Sequence, residues 1–400
     1  MIIHLYLKDN HRECPKCSST KVYKKDTIVK KLYHPYSNDR KCIIYFYHFK
    51  FKCNNCNSNF LQKNNIVYAG KCITLPGELN ILHKLKNYKT TFQDVSDFYH
   101  IPKMDVINCF DNHVSINRHN LTKVICVDEF HSKNLTETKY CFAIYDPLNK
   151  IVLDVIDSRR KEALVEYFLH ISKKERENVY FVNIDMWQTY KEIAEMYLPN
   201  ATVCVDSFHV IKHLNKALDD VRKKIQRNFK NDKNNPKKQS WYWLLFTFKY
   251  FLLADMDNIK YKRHPNSHFS HLWTKWDVLE ALLSTSDGLR EAYNLKEEYR
   301  EFNKTATYEE ALEKLPIFIK KFKKNRYAEF REFGKMLERW LAEIINSFIV
   351  INGLRMSNGP MESLNSRIRR IIDNGFGFSR FPRFRNKVMY SLNKDEPIKF

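Results

Sequence analysis

The stretch "TKVICVDEF" (Thr122–Phe130) decides the fold class, because it is a near-continuous β-branched run that ends in Asp128 and Glu129. Such runs are typical of strands that are buried on both faces of a sheet. "NVYFVNIDMW" (Asn178–Trp187) repeats this design and places Asp185 at its carboxyl end. The two stretches predict neighbouring buried strands, each followed by a carboxylate.

Hairpin and helical segments connect these strands. "KYCFAIYDPLNKIVLDVIDSRR" predicts a hairpin with its turn at 146–149, and helices fit "RKEALVEYFLHIS" and "QTYKEIAEMYLPN". One more buried strand, "ATVCVDSFHV", ends in Asp206. Helical crossovers lay strands parallel in one sheet, and the carboxyl ends of such strands form the site. We therefore expect an α/β fold that brings Asp128 and Asp185 together.

Two ionised carboxylates side by side repel each other, so their pairing favours a divalent cation between them. Oxygen ligands without a nearby cysteine or histidine pair favour Mg²⁺ or Mn²⁺ over zinc. The alternative is that the aspartates are helix N-caps, which are often Asp. Asp206 fits that alternative best of the three.

Two cysteine pairs, "CPKC" and "CNNC", predict a structural zinc site in a zinc ribbon. The four thiolate ligands would be Cys14, Cys17, Cys53 and Cys56. The sequence between the pairs has two β-rich runs around the turn-like "HPYSNDR", which predicts a hairpin. His34, His48 and Cys42 are possible substitute ligands, and two unrelated pairs of reduced thiols are the structural alternative.

"TFQDVSDFYHIPKMDVINCFDNHV" (Thr91–Val114) predicts two short helices separated near Pro102. A short helix, a tight turn and a second helix are typical of a helix-turn-helix that reads a DNA major groove. The alternative is an ordinary helical packing unit. The apolar residues on one face of each predicted helix are Val95, Phe98, Tyr99, Val106, Ile107 and Phe110.

The chain is strongly basic, with a formal net charge of +22 that indicates a polyanionic partner such as nucleic acid or an anionic membrane surface. A solvated basic surface is the alternative. No signal peptide is evident, so the ten cysteines favour a reducing compartment. The most apolar stretch, Trp241–Met256, is interrupted by Lys249 and predicts a buried helix rather than a membrane span.

"SNGPMESLNSRIRRI" (Ser357–Ile371) places one acid, Glu362, in the first turns of a predicted helix in a basic region. A first-turn acid that favours the helix dipole is the modest explanation. The basic residues that follow are candidate contacts to the phosphodiester backbone. They are Arg367, Arg369, Arg370, Arg380, Arg383 and Arg385. Interleaved phenylalanines could stack on DNA bases or anchor the segment to the core. They are Phe376, Phe378, Phe381 and Phe384.

These motifs together resemble the DDE transposases of the ISL3 insertion-sequence family. The resemblance rests on "ICVDEF", "VNIDMW", "VDSFHVIKHLNKALD", "LREAYNLKEEY", "SNGPMESLNSRIR" and "GFGFSRFPRFRNKV". It implies a ribonuclease H-like catalytic core in which Asp128, Asp185 and Glu362 hold two Mg²⁺ or Mn²⁺ ions. The implied protein binds the terminal inverted repeats of its element, acts as a homodimer or higher oligomer, and works in a prokaryotic cytoplasm near the nucleoid.

The resulting domain prediction has five segments. They are a zinc ribbon (1–70), a helix-turn-helix (71–120), the first part of the catalytic core (121–228), a helical insertion (229–350) and a carboxy-terminal part with the Glu helix (351–400). A polar, Lys-rich stretch at Asn228–Ser240 begins the insertion. Two other functions stay open: a catalytically idle DNA-binding protein, and a metal-dependent nuclease without strand transfer.

Overall fold

The computed structural model describes residues 1–8, 13–34, 41–68, 70–232, 234–255, 273–357, 359–375 and 378–399. The strands in this part of the chain are β1 (Ile2–Tyr6), β2 (Val22–Tyr33), β3 (Ile43–Cys53), β4 (Asn59–Leu61), β5 (Val124–His131), β6 (Tyr140–Asp146), β7 (Ile151–Ile156), β8 (Phe181–Ile184), β9 (Thr202–Val205), β10 (Val350–Ile351) and β11 (Leu354–Arg355).

The helices are α1 (Leu75–Leu85), α2 (Phe92–Tyr99), α3 (Lys103–His113), α4 (Lys161–Leu169), α5 (Lys173–Arg176), α6 (Gln188–Tyr197), α7 (Ser207–Lys230), α8 (Pro236–Thr247), α9 (Lys249–Leu253), α10 (Lys275–Leu283), α11 (Asp287–Thr305), α12 (Tyr308–Lys323), α13 (Ala328–Arg339), α14 (Leu341–Asn346), α15 (Gly359–Asn374) and α16 (Phe381–Leu392). The chain forms two compact units. Unit 1 comprises 1–120, 129–159 and 363–400, and unit 2 comprises 121–128 and 160–362.

Unit 1 begins with a four-stranded sheet in the order β1-β3-β2, and β4 also pairs with β3. β2 and β3 form the antiparallel hairpin that the sequence predicts between the cysteine pairs. Most of its predicted turn, at 35–40, lies outside the described residues. One face of this sheet carries the buried side chains of Leu32, Ile44 and Phe46, so alternation along the strands gives the sheet one core face.

Helices α1, α2 and α3 follow in the same unit, and α2 and α3 confirm the two short helices predicted from Thr91–Val114. Thr91 and Asp94 form a capping box at the start of α2, and His100 ends that helix with a left-handed φ of 52°. Of the residues on the predicted faces, Val95, Val106 and Phe110 are buried, whereas the others are only half-buried, so each face is narrower than predicted. The binding of these helices to a DNA major groove stays a prediction.

The hairpin β6–β7 and helix α16 complete unit 1. Asp146 closes the predicted turn, because its Oδ1 accepts hydrogen bonds from the backbone N–H groups of Leu148 and Asn149 at 2.8 and 2.9 Å. Asn393, just after α16, bonds both the N–H and the C=O of Val152 on strand β7. The sequence reasoning did not predict α16, which binds the carboxy-terminal residues to this unit.

Unit 2 contains the parallel strands β5, β8 and β9, with Val124 opposite Phe181 and Phe181 opposite Thr202. The strand order of the whole sheet is β7-β6-β5-β8-β9, and β5 passes from unit 2 into unit 1 after Asp128. The prediction that this strand ends at Asp128 and Glu129 is wrong. β5 continues to His131, because Phe130 is still buried.

The described residues from α7 to α14 are mainly helical, as the sequence predicts, and their role as an insertion stays a prediction. The single buried helix predicted for Trp241–Met256 is wrong. The chain breaks at Phe248 between α8 and α9, both Phe246 and Tyr250 are exposed, and the last residue of the stretch lies outside the described part. Within the described residues, no helix combines the length and apolar composition that crossing a bilayer requires.

A short hairpin, β10–β11, precedes α15 and was missed in the sequence. Its turn residues Asn352 and Gly353 have φ values of 51° and 76°. Asn-Gly is the usual pair for a two-residue hairpin turn, because both positions need a positive φ. The hairpin therefore had a local signal in "VINGLR".

Lys387 on α16 gives unit 1 a pH dependence that can be measured. Its ammonium group donates to the carbonyls of Leu85 and Asn87, and burial lowers its pKa to about 7. An unfolded chain keeps this proton up to about pH 10, so between these values the unfolded state binds more protons and stability rises with pH.

We expect the free energy of unfolding of the wild type, relative to Lys387→Met, to increase from pH 7 to pH 10. One proton sets an upper limit of about 1.4 kcal/mol per pH unit. Urea unfolding of both proteins across this range measures the difference, and Lys394→Met at an exposed position is the control. A difference that is flat with pH contradicts the prediction.

Candidate active site and zinc centre

Asp128 and Asp185 lie close together in unit 2, as the sequence predicts. Cys126 on β5 stands opposite Asn183 on β8, and each aspartate follows two residues later, on the same side of its strand. The two carboxylates offer oxygen atoms within 4.8 Å of each other, and both side chains are partly buried. Such a pair can bind one divalent cation.

The helix N-cap alternative applies to Asp206 but not to the other two aspartates. Asp206 caps α7 and accepts a hydrogen bond from the backbone N–H of Phe208 at 3.3 Å. Asp128 lies inside strand β5. Asp185 accepts from the N–H of Trp187 at 3.1 Å, but the N-cap of α6 is Trp187 itself. Neither Asp128 nor Asp185 is therefore the N-cap residue of a described helix.

The segment that leads into α15 is fastened to the same two strands. The backbone carbonyl of Ser357 accepts from Asn183 Nδ2 at 3.3 Å and from Cys126 Sγ at 3.8 Å. Asn183 is only 1% exposed, so its side chain is shielded from water, and the bond to Ser357 is partly buried. The donors stand two residues before Asp185 and Asp128, on the same sides of their strands. The sequence reasoning missed this role of Asn183, which no motif signals.

Glu362 lies in the first turn of α15, as the sequence predicts. Partial burial and then the nearby Asp206 carboxylate raise the pKa of Glu362, while His209 and Lys212 lower it. Among the described residues, Glu362 does not belong to the group of ligand atoms around Asp128 and Asp185 that lie within 4.8 Å of one another. The structure thus places Glu362 beside the start of α7, a neighbourhood that the sequence did not reveal.

Glu129 follows Asp128 in strand β5 and forms an ion pair. Its carboxylate pairs with the Arg159 guanidinium at 3.0 Å, and that guanidinium lies over the Tyr140 ring, 4.0 Å from its centroid. The charge of Glu129 is therefore balanced inside unit 1.

The four predicted zinc ligands come together in unit 1. The Sγ atoms of Cys14 and Cys56 are 3.5 Å apart, those of Cys17 and Cys53 are 3.6 Å apart, and all four lie within 4.8 Å of one another. A tetrahedral zinc with Zn–S bonds of about 2.3 Å needs sulfur atoms about 3.8 Å apart, so the four thiolates fit this metal. The suggested substitutes lie elsewhere, with His34 hydrogen-bonded to Thr74 at 2.8 Å.

Both cysteine pairs use the same local geometry. The residue after the second cysteine has a left-handed backbone in each, with φ of 53° at Ser18 and 55° at Asn57. Ser58 contacts two thiolates, with its hydroxyl 3.3 Å from Cys14 Sγ and 3.0 Å from Cys56 Sγ. This contact, followed by backbone hydrogen bonds, lowers the pKa of Cys14 to about 6 and favours its thiolate, whereas burial and the neighbouring thiols raise the pKa of Cys17 to about 11.

The six predicted DNA-contacting arginines fall into two groups. Arg383 forms a bidentate pair with Asp111, with its shortest distance at 2.6 Å, and Arg385 pairs with Asp154 at 2.6 Å. These two side chains are largely buried and connect α16 to the rest of unit 1. The other four are partly or fully exposed, and their DNA contact stays a prediction. They are Arg367, Arg369, Arg370 and Arg380.

The phenylalanines of this region mainly anchor it. Phe384 is fully buried, and the rings of Phe378 and Phe381 pack against it with centroids 5.3 and 6.3 Å away. Phe376 lies outside the described residues. The anchoring alternative therefore holds for Phe384 and fits its two neighbours.

A family model for transposases, of the ISL3 DDE type, matches residues 125–388. The chain belongs to this family. The match covers about two thirds of the transposase and includes Asp128, Asp185 and Glu362. The cysteine pairs and helices α1 to α3 precede the matched region. No curated protein shows significant similarity to this transposase.

The contact between Ser58 and two thiolates predicts that Ser58→Ala binds zinc more weakly. Loss of an outer hydrogen bond to a metal ligand typically costs about 10- to 100-fold in affinity. Competition with a chromophoric chelator measures this, and Ser18→Ala on the other pair is the control, because its side chain has no such role. Equal affinities for wild type and Ser58→Ala would show that the hydroxyl does not support the site.

Proposed function

We propose that this transposase binds the terminal inverted repeats of its element, cleaves DNA there and joins the freed 3′ hydroxyls to a target, acting as a homodimer or higher oligomer. Asp128, Asp185 and Glu362 would be its carboxylate triad. The observation that carries this proposal is the bonding of Ser357 to Asn183 and Cys126. It ties the approach to α15 to the two strands that bear the aspartates.

The strand order supports a ribonuclease H-like core. A hairpin, β6–β7, precedes two parallel strands, β8 and β9, that are reached through helices, and the order is β7-β6-β5-β8-β9. In open sheets the carboxyl ends of parallel strands form the site. Asp185 and Asp206 directly follow β8 and β9 at such ends.

The donor set fits divalent magnesium or manganese, because carboxylate oxygens are the ligands these ions prefer. When bound, two such ions activate the attacking oxygen and stabilise the leaving oxygen of a phosphodiester displacement. Asp128 and Asp185 would supply two of the carboxylates that hold the ions. Glu362 would add the third carboxylate from α15, whose position depends on the Ser357 carbonyl.

The arginines of α15 would orient the DNA strand. Arg369 follows Glu362 by seven residues, which is about two helical turns, so both lie on nearly the same side of α15. Arg369 and Arg370 are exposed, as is Arg380 before α16. Guanidinium groups at these positions suit the phosphate backbone on either side of the bond that is cut.

Helix α3 would enter the major groove as the second helix of a helix-turn-helix. Its exposed residues include Lys103, Asn108 and Asn112, and amide side chains can read adenine while lysine contacts phosphate. The zinc ribbon adds a second DNA-binding module. Both precede the triad in sequence, so DNA binding and DNA cleavage are separable by mutation.

The triad predicts that Asp128→Asn and Glu362→Gln each abolish cleavage of a labelled duplex that carries the element's end, in Mg²⁺ or Mn²⁺. Loss of one ligand of a two-ion site removes the charge on which the chemistry depends, so we expect a rate decrease of at least about 1,000-fold. Binding of the same duplex, measured by fluorescence anisotropy, should stay unchanged.

Two matched controls test which carboxylates take part. Glu129→Gln removes a charge beside Asp128, but because Glu129 is paired with Arg159, cleavage should persist. Asp206→Asn keeps the cap of α7, since Asn caps as well as Asp, and removes the charge next to Glu362. If Asp206→Asn stops cleavage and Glu362→Gln does not, Asp206 is the third ligand. If wild type binds the end and never cuts it, the chain is an idle DNA-binding protein.

The two groups of arginines predict opposite phenotypes. Arg369→Ala should weaken duplex binding and reduce the slope of log affinity against log salt by about 1, because one phosphate contact is lost. Arg383→Ala should leave that slope unchanged and lower the thermal midpoint, because Asp111 loses its bidentate partner. Salt-dependent anisotropy and thermal unfolding of both variants check this, and an equal salt slope for Arg369→Ala and wild type contradicts the proposed contact.

A further inference from the structure

The outer face of the four-stranded sheet has a composition that a solvated face does not need. Strand pairing puts His4 and Tyr6 of β1 on the same face as Tyr45, Tyr47 and Phe49 of β3. The opposite face carries the buried core of the sheet. Solvated faces of sheets are normally polar, whereas these five rings, hereafter the aromatic face, are exposed or half-exposed. Adjacent rings on the solvent side of a sheet are a feature that interaction sites share.

Four rings of the aromatic face form one continuous stack. His4 lies between Tyr45 and Tyr47, at centroid distances of 5.3 and 5.8 Å, and its Nδ1 is 3.1 Å from the Tyr47 hydroxyl. Tyr47 stacks on Tyr6 at 4.3 Å with the planes 13° apart. The stack ends at Tyr6, which is 65% exposed on β1. A further planar ring can therefore extend the stack at Tyr6.

The charged side chains that the described strands carry on this side are positive. Lys31 of β2 stands opposite Tyr45, and the Lys24 ammonium lies 3.7 Å from the centroid of the Phe49 ring. Among the described strand residues that pairing places on this side, none is acidic. Asp26 stands opposite Lys50 in the strand register, on the other face of the sheet. The face therefore combines stacking rings with cations that can contact phosphate.

We propose that the aromatic face binds an unpaired DNA strand, with bases stacking on the rings from Tyr6 inward and with Lys24 and Lys31 contacting its phosphates. Sheets that present aromatic rings beside basic side chains bind single strands in this way, and the contact tolerates any base sequence. Paired bases cannot reach the rings, because their faces are covered within the duplex. This inference goes beyond the proposed cleavage activity and does not need the carboxylate triad.

A second copy of this chain is the weaker candidate for the same face. Pairing two aromatic faces would bring Lys24 and Lys31 of both copies together without a described carboxylate on this side to balance them. Like charges brought together in an interface disfavour association. An unpaired DNA strand fits this surface better, because its bases can stack on the rings and its phosphates can contact the lysines.

The test is binding of a fluorescein-labelled 20-residue oligo(dT) by the zinc-loaded full-length protein, measured by anisotropy without added Mg²⁺ or Mn²⁺ and at several salt concentrations. Tyr6→Ala and Tyr47→Ala should each weaken this binding by roughly 5- to 100-fold. Tyr6→Phe should bind like wild type, because it keeps the ring. Affinity for a 20-base-pair duplex should change less than about twofold in all variants.

Tyr23→Ala is the matched control, because Tyr23 is an exposed tyrosine of β2 that pairs with Lys52 on the opposite side of the sheet. Zinc content and circular dichroism establish that each variant is folded. Equal oligo(dT) affinities for Tyr6→Ala, Tyr47→Ala and Tyr23→Ala overturn the proposal. So does sedimentation that shows a wild-type dimer dissociating in Tyr6→Ala. Loss of cleavage in Asp128→Asn with unchanged oligo(dT) binding separates this inference from the proposed function.

Discussion

The bond from Asn183 to the Ser357 carbonyl is the constraint on which the arrangement of unit 2 depends. It joins two parts of the chain 174 residues apart, in a place where Asn183 is shielded from water. A buried hydrogen bond is costly to leave unmade, so each partner fixes the other. Everything between them, including α7 to α14, has to form a loop that returns to the same two strands. The long helical segment can therefore be inserted without separating Ser357 from the strands that carry Asp128 and Asp185.

The positive charge of the chain is divided between structure and binding. Lys387, Arg383 and Arg385 are held by carbonyls or carboxylates inside unit 1, whereas Arg369 and Arg380 stay exposed. A buried ion pair contributes geometry more than stability, because desolvation offsets much of its attraction. Only part of the net charge of +22 is therefore available to a polyanion. The positions of the exposed basic residues determine where a polyanion can bind.

Local pattern explains which predictions were correct. Continuous β-branched runs and regular spacing identified β5, β8 and β9, and the two cysteine pairs identified their own cluster, because each signal is contained in a short window. The predicted end of β5 was wrong because the strand continues past Asp128 and Glu129, where the ring of Phe130 is still buried. The break at Phe248 was missed because hydrophobicity alone does not show where a helix turns.

Partners that are distant in sequence could not be predicted. Nothing in the residues around Asn183 indicates Ser357 as its partner, and nothing near Glu362 indicates Asp206. The same holds for Asp111 with Arg383. The family resemblance suggested Asp128, Asp185 and Glu362 as a set, whereas the groups that surround each of them are visible only in three dimensions.

The attachment of the last described residues to the first helices has a consequence for synthesis on the ribosome. His113 at the end of α3 bonds the Lys399 backbone 286 residues later, and Tyr390 donates to the Leu82 carbonyl of α1. Domains usually fold as they emerge, beginning with the amino-terminal one. Here α1 and α3 receive their final buried partners only after residues 387–399 are made. A growing chain therefore presents these helices without these partners until that segment has left the ribosome.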